Sequence, residues 1–272
     1  MSETLVKEFY TAQVYKEWRR LVRDAYHRLE YETTLHFLEQ YLPPNGLILD
    51  AGGGPGRYTR ELARRGYQVV LFDMTPANLE FARRQLRRAR LPKGAVSLEE
   101  GSIVDLSQFA DGTFDAVICL GGPVSHILDA EQRDRALTEL IRVARPGAPV
   151  FVSVMGRLSL LIIELTLFQG EIEMPHFTQI RDTGNYEGES GFTACHFFMP
   201  EEFRDAFHGK GVTILEMAGL EGISSHHQRQ LNQLAKNGRR WEKWLDTHFR
   251  TCTHPSVVGI SEHMLIVARK NG

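Results

Sequence analysis

Leu47-Ile-Leu-Asp-Ala-Gly-Gly-Gly-Pro-Gly-Arg-Tyr-Thr-Arg-Glu-Leu62 is the stretch on which the reading of this chain turns. Leu47 to Asp50 is a short apolar run that ends in closely spaced glycines, and Arg57 to Arg65 reads as a helix stopped by Gly66. A strand whose carboxyl end meets glycines lets a ligand approach the backbone where a Cβ would collide, in the crevice used by open α/β sheets. The run therefore predicts a ligand site at a strand tip.

Two ligand classes compete for such a loop. The dinucleotide fingerprint GxGxxG needs a third glycine for close packing of the helix whose N-terminus meets the pyrophosphate. Arg57 and Tyr58 stand where that glycine belongs. What is present is DxGxGxG, formed by Asp50, Gly52, Gly54 and Gly56. An acid at the strand tip opposes a pyrophosphate and suits a ligand carrying an ammonium and a sulfonium. Asp73 closes the next apolar run, Gln68 to Asp73, where a carboxylate can accept from both hydroxyls of a ribose, with Met74 beside it to pack on adenine. An acid in that place also serves NAD enzymes, so Asp73 is informative only together with Asp50.

Outward from this loop, strands and helices alternate. The pattern predicts strands at Val96 to Gly101, Phe114 to Leu120 and Val150 to Met155, and helices at Pro76 to Ala89 and from Asp129, as N-cap, to Ala144. Such alternation means a doubly wound parallel sheet. Before it, the apolar spacing of residues 4 to 42 reads as two helices closed by Pro43-Pro44. After it the alternation breaks: an apolar helix and a polar, glycine-containing stretch, Arg181 to Gly191, precede a helix opening at Pro200. Strands at Val212 to Met217 and His263 to Ala268 flank a helical segment, Ser224 to Arg250.

With these motifs in place, residues 43 to 155 resemble the core of the class I S-adenosylmethionine-dependent methyltransferases. LILDAGGGPGRYTREL resembles their first motif, VVLFDMTPANLEFAR the second and EEGSIVDL the third; FDAVICLGGPVSHILD and ARPGAPVFVSV resemble the fourth and fifth. The resemblance implies a seven-stranded, mostly parallel sheet of order 3-2-1-4-5-7-6 with strand 7 antiparallel. It implies an N-terminal helical cap at 1–42, a cofactor core at 43–156, an insertion or lid at 157–200 and a C-terminal part of the core at 201–272. S-adenosylmethionine is the implied cofactor, with Asp50, Gly52, Gly54, Gly56, Asp73, Met74 and Leu120 around it. Where the family commonly has an acid for the adenine amino group this chain has Ser102, so that contact passes to Ser102 or to the backbone of Ile103. The segment EFYTAQVYKEW is similar to an N-terminal helix whose aromatic residues close over the cofactor, which makes Tyr10, Tyr15 and Trp18 candidates.

Composition narrows the function. Hydrophobic residues at 42% and charged residues at 24% are those of a chain that folds throughout, and a net charge of −2 provides no general attraction to nucleic acid or anionic membrane. Three separated cysteines, Cys119, Cys195 and Cys252, make neither a disulfide framework nor a zinc pair and fit a reducing cytoplasm. No secretory pattern opens the chain, and the longest apolar stretch, Leu158 to Phe168, is about half of the ~20 residues a membrane helix needs. Leu120-Gly-Gly-Pro-Val replaces the (D/N)PP(Y/F) of nucleic-acid amino methylation, and Cys119 lacks the Pro-Cys setting of cytosine carbon-5 chemistry. No HxxxH pair or acidic ligand cluster indicates a metal. Arg83, Arg84, Arg87, Arg88, Arg90 and Lys93 read as the solvated face of the second helix.

Methyl transfer to an already activated sulfonium asks the protein for alignment, desolvation and sometimes a proton acceptor. His126, just past the glycine turn after the fourth strand, is the candidate base, because neutral imidazole accepts protons near pH 7. His196, His226 and His227 are weaker candidates. The expected acceptor is a small molecule, held against Leu160, Leu161, Ile163 and Phe168 of the insertion. The alternatives are an RNA or protein methyltransferase and a non-catalytic S-adenosylmethionine-binding protein.

Overall fold

The computed structural model of the chain describes residues 2–188 and 191–272. Helices α1 (Ser2–Arg20) and α2 (Ala25–Tyr41) come first, with Asp24 capping α2 by accepting from the His27 amide at 3.1 Å. The core then runs β1 (Leu47–Ala51), α3 (Arg57–Arg64), β2 (Gln68–Asp73), α4 (Pro76–Arg88), β3 (Val96–Glu100), β4 (Ala116–Cys119), α5 (Ala130–Val143) and β5 (Pro149–Met155). The predicted fourth strand is longer than the observed one: Phe114 makes only an isolated bridge to Ala144. Asp129 caps α5 as expected, accepting from the Gln132 amide at 2.9 Å.

After β5 come α6 (Arg157–Leu167), α7 (Pro175–Thr183) and a short hairpin, β6 (Asn185–Tyr186) with β7 (Cys195–His196). Residues 189 and 190 of the predicted polar stretch lie outside the described residues. Then follow α8 (Pro200–Asp205), β8 (Val212–Gly219), α9 (Gln228–Leu234), α10 (Gly238–Thr251), α11 (Pro255–Val258) and β9 (His263–Lys270). The segment read as one helix from Ser224 to Arg250 is thus two. Asn237 caps the second through its side chain, and His226, at a positive φ of 66°, gives its amide to the Tyr26 hydroxyl instead of to a helix. A contact from α2 overrides the helical periodicity.

The large sheet has the order β3-β2-β1-β4-β5-β9-β8. Its first five strands are parallel, and β9 is antiparallel to both β5 and β8. With β8 and β9 as the sixth and seventh large-sheet strands, this is the expected doubly wound arrangement. Its faces are apolar on both sides because helices cover both. Leu49, Val117 and Val152 pack with Leu137 and Leu140 of α5, while Ile48, Ile118 and Phe151 pack with Phe37 of α2 and Leu62 of α3. From β1 the chain first moves toward β2 and β3 and then returns to β4 on the other side. The crevice of such a sheet opens at that switch point, at the carboxyl tips of β1 and β4.

Candidate cofactor and acceptor site

Three backbone turns and one helix build a cavity at these tips. The β1 turn is held to β2: Gly52 donates its amide to the Phe72 carbonyl at 2.7 Å, and Gly54 donates to Asp73 Oδ2 at 2.8 Å. Gly52 has φ +69°, and a Cβ there would lie 2.6 Å from Pro123 Cγ of the facing turn. Only glycine satisfies both conditions. The second turn, after β4, runs through Gly121 and Gly122 into a short 3₁₀ helix, Pro123–His126. The third follows β3 and presents Ser102 and Ile103. Helix α1 closes the space with Val6, Tyr10, Glu17 and Arg20.

The electrostatics follow from burial. Asp73 is buried, and desolvation raises its carboxyl above the ordinary value although Thr75 and Gly54 amides and Asn78 Nδ2 all donate to it. Arg20 donates its Nε to Glu17 at 2.8 Å and pairs through both terminal nitrogens with Glu30. Glu30 is itself 3.8 Å from His263, which Glu221 holds at 2.7 Å. Burial acts to lower the His263 pKa, but Glu30 and Glu221 outweigh it and hold the group up to about 9. Glu30, Glu221 and His263 present one ligand atom each within 4.8 Å, yet each carboxylate is engaged by Arg20, Ser261 or His263. This is an ion-pair network that aims Arg20 at the cavity.

Gly52, Gly54, Asp73, Met74, Ser102, Ile103, Leu120 and His126 all line the cavity. Four other cofactor-side candidates do not: Asp50, Gly56, Tyr15 and Trp18, the last lying under the Arg57 guanidinium. Asp50 sits beneath the glycine turn, its Oδ2 accepting from Thr59 Oγ1 at 2.5 Å and its Oδ1 without a partner. Gly56 supplies the left-handed turn into α3, where a Cβ would press on Leu71 at 3.1 Å. Tyr15 is 64% exposed on the outer side of α1. The tyrosine that α1 does bring in is Tyr10, one helical turn and a residue earlier.

The insertion also departs from expectation. Leu160, Leu161, Ile163 and Phe168 are absent from the lining, since Leu160 packs into a separate small core with Ile180, Tyr186 and Phe197 and Phe168 is exposed. The segment reaches the site by another route: the Ala194 carbonyl lies 3.0 Å from His126 Nδ1, and the Phe192 ring lies 5.8 Å from the His126 ring. His196 is locked between Asn185 and Glu202, and His226 lies 3.1 Å from Ser159 Oγ; neither lines the cavity. His227 is turned onto the Ser225 carbonyl.

The family described as "Methyltransferase domain" matches residues 48–147, the segment that carries the glycine turn, Asp73 and the β4 turn. Residues 48–147, well under half of the chain, are thus similar to a methyltransferase domain. Outside that domain the likeness thins. Ubiquinone biosynthesis O-methyltransferase of Xanthomonas axonopodis pv. citri (strain 306) is 31% identical over 124 residues, 45% of this chain and 49% of that protein. An S-adenosyl-L-methionine-dependent Diels-Alderase of Talaromyces variabilis is 30% identical over 123 residues, 45% of this chain and 38% of that protein. The chain spans less than half the length of these curated relatives. A SAM-dependent methyltransferase of Methanosarcina mazei, 20% identical, superposes with a TM-score of 0.62 over 86% of this chain and 97% of its own. The fold is shared at that level. Among the described residues, no helix is long and apolar enough to cross a membrane.

Glu17, Arg20 and Asn78 are cavity residues that the sequence reading missed. Asn78 lies five residues past Asp73 on the first turn of α4, and a polar residue one turn into the helix that follows the acid was the available signal. Arg20 had none, because its position depends on how α1 lies across the sheet.

Proposed function

We propose that the chain transfers the methyl group of S-adenosylmethionine to a small-molecule acceptor. The observation that carries the reading is the junction, in one cavity, of donor-type lining with Tyr10, His126 and an apolar wall of Val6, Leu21 and Ile127. The donor side fits the cofactor. Asp73 at the strand tip suits the ribose hydroxyls, Met74 and Ile103 suit the adenine, and the open backbone of Gly52 and Gly54 leaves room where any Cβ would intrude. Arg20, with two N–H groups beyond those given to Glu17 and Glu30, and Glu17 itself suit the carboxylate and ammonium of the methionine end. When bound, the cofactor supplies a methyl group on a sulfonium, a leaving group that needs no protonation. The protein's residues align the acceptor, exclude water and receive its proton.

An open basic groove, as RNA or a protein tail would need, finds no support here. The lining combines Glu3, Glu17 and Asp73 with Arg20 and Arg57, and the arginines of α4 stand outside it. The test is transfer of labelled methyl from S-adenosylmethionine into small-metabolite pools, with Asp73→Ala as the donor-dead control. Labelled product from the wild type alone is the expected result. Donor binding with turnover of a substrate but no S-adenosylhomocysteine formed would favour instead a use of the cofactor like that named for the Talaromyces relative.

A further inference from the structure

Tyr10 and His126 lie 116 residues apart in sequence and meet in the cavity, Tyr10 Oη 2.7 Å from His126 Nε2. The direction of that bond is fixed by the other nitrogen. His126 Nδ1 is 3.0 Å from the Ala194 carbonyl oxygen, which can only accept, so Nδ1 carries the proton. Burial lowers the His126 pKa below its ordinary value, so the ring is neutral near pH 7 and Nε2 is an acceptor. The tyrosine hydroxyl therefore donates its one hydrogen to His126. Its oxygen is left with lone pairs only, and these can accept a hydrogen bond from a third group.

We propose that Tyr10 is the immediate proton acceptor for an acceptor hydroxyl, with His126 as the base behind it. The inference rests on the reading of the cavity as a methyl-transfer site. As the acceptor oxygen forms its bond to the methyl carbon, the carbon–sulfur bond breaks and leaves its electron pair on sulfur. The acceptor's O–H proton passes to Tyr10 Oη while the Tyr10 proton passes to His126 Nε2. The products are a methyl ether, S-adenosylhomocysteine and a protonated His126, which returns its proton to solvent when the products leave. Tyr10 begins and ends as a neutral phenol, so the relay avoids the free phenolate that burial opposes at this position. His126, the base expected from sequence, thus acts through a residue of α1.

The relay assigns a class of acceptor: a molecule whose nucleophile brings its own hydrogen. The Tyr10 and His126 rings, edge to face at 5.2 Å, themselves line the cavity, with Phe9 and Phe192 outside the lining, and an aromatic wall of this kind suits a phenol or catechol. The charged and titratable groups facing the pair are Glu17 and Arg20 of α1, Asp73 at the end of β2 and the Cys195 thiol of β7.

Catechol and 4-nitrocatechol, with labelled S-adenosylmethionine, separate a proton acceptor from a structural tie. Nitrocatechol is already ionised at pH 8 and needs no base. Tyr10→Phe should lower kcat for catechol by roughly 100-fold, the scale of a lost general base, and leave kcat for nitrocatechol and the Kd for S-adenosylhomocysteine unchanged. His126→Gln should repeat the pattern. The wild-type catechol rate should fall only as pH drops through the depressed His126 pKa, whereas in Tyr10→Phe it should follow the catechol's own ionisation. Histidine ¹⁵N shifts should show His126 as the Nδ1–H tautomer in the S-adenosylhomocysteine complex. Equal loss with both acceptors, full catechol activity in Tyr10→Phe, or an Nε2–H tautomer would overturn the inference. So would binding of S-adenosylhomocysteine without transfer to either acceptor. Failure to bind S-adenosylhomocysteine would instead remove the reading on which the inference rests.

Discussion

The guanidinium of Arg57 lies 3.8 Å above the ring of Trp18 and also donates to the Trp18 carbonyl. The first residue of α3, directly after the glycine turn, thereby grips the helix that closes the cavity. Cation–π contacts of this kind contribute roughly 0.5–2 kcal/mol. Trp18→Ala should therefore loosen α1, weakening S-adenosylhomocysteine binding about tenfold, while the sheet core is left intact. Calorimetry reads the affinity and limited proteolysis reads cleavage within residues 2–20. Unchanged affinity and unchanged cleavage would show that α1 is held by its other contacts.

Gly52→Ala tests the approach of the two turns. A side chain at φ +69° costs roughly 1–2 kcal/mol in itself, and the added methyl would meet Pro123 at 2.6 Å. The β1 turn and the β4 turn must then move apart, and donor affinity should fall by more than tenfold. Gly66→Ala is the matched control, since Gly66 also has positive φ, at +95°, but has nothing within 4 Å. It should lose stability by the backbone cost and bind S-adenosylhomocysteine as the wild type does.

Asp50 predicts a pH dependence of stability. Burial pushes its carboxyl up to about 7, against the lowering effect of the Thr59 bonds, and one carboxylate oxygen has no partner. A carboxyl whose folded pKa lies above its unfolded one binds protons preferentially in the folded state. The stabilisation is complete below the ordinary value of 3.8 and is lost as pH rises toward 7. Asp50→Asn keeps the acceptor for Thr59 and removes the buried charge. Thermal melts should show a higher Tm than wild type at pH 8, on the order of 2 kcal/mol of stability, and a gap that closes toward pH 4. An equal or lower Tm at pH 8 would contradict the assignment.

The legible part of this site is the part carried by local sequence. The Leu47–Leu62 run shows its strand, its turn and its helix start because the glycines are needed where they stand, and Asp73 follows from the end of the next apolar run. The residues that escaped, Arg20 and Glu17, and the misplaced Tyr15, belong to α1. A helix with no distinct apolar face and with its aromatics spread around it does not announce which of Tyr10, Tyr15 or Trp18 turns inward. Asp50 misled for a different reason: its position at the strand tip is right, but its side chain points beneath the turn to Thr59. The insertion misled through its composition, since Leu160 found an apolar partner set of its own away from the cavity.

By itself the sequence determined the sheet and the crevice at its strand tips. Strand alternation, glycine placement and the tip acid are set by interactions between neighbours in the chain, so they are written in short words of sequence. Only the tertiary structure decided that Tyr10 meets His126 and that Arg57 holds Trp18. Those pairs join residues 116 and 39 positions apart, and what brings them together is the packing of α1 across the turns. That packing is the sum of many weak contacts between surfaces, and no local motif records it.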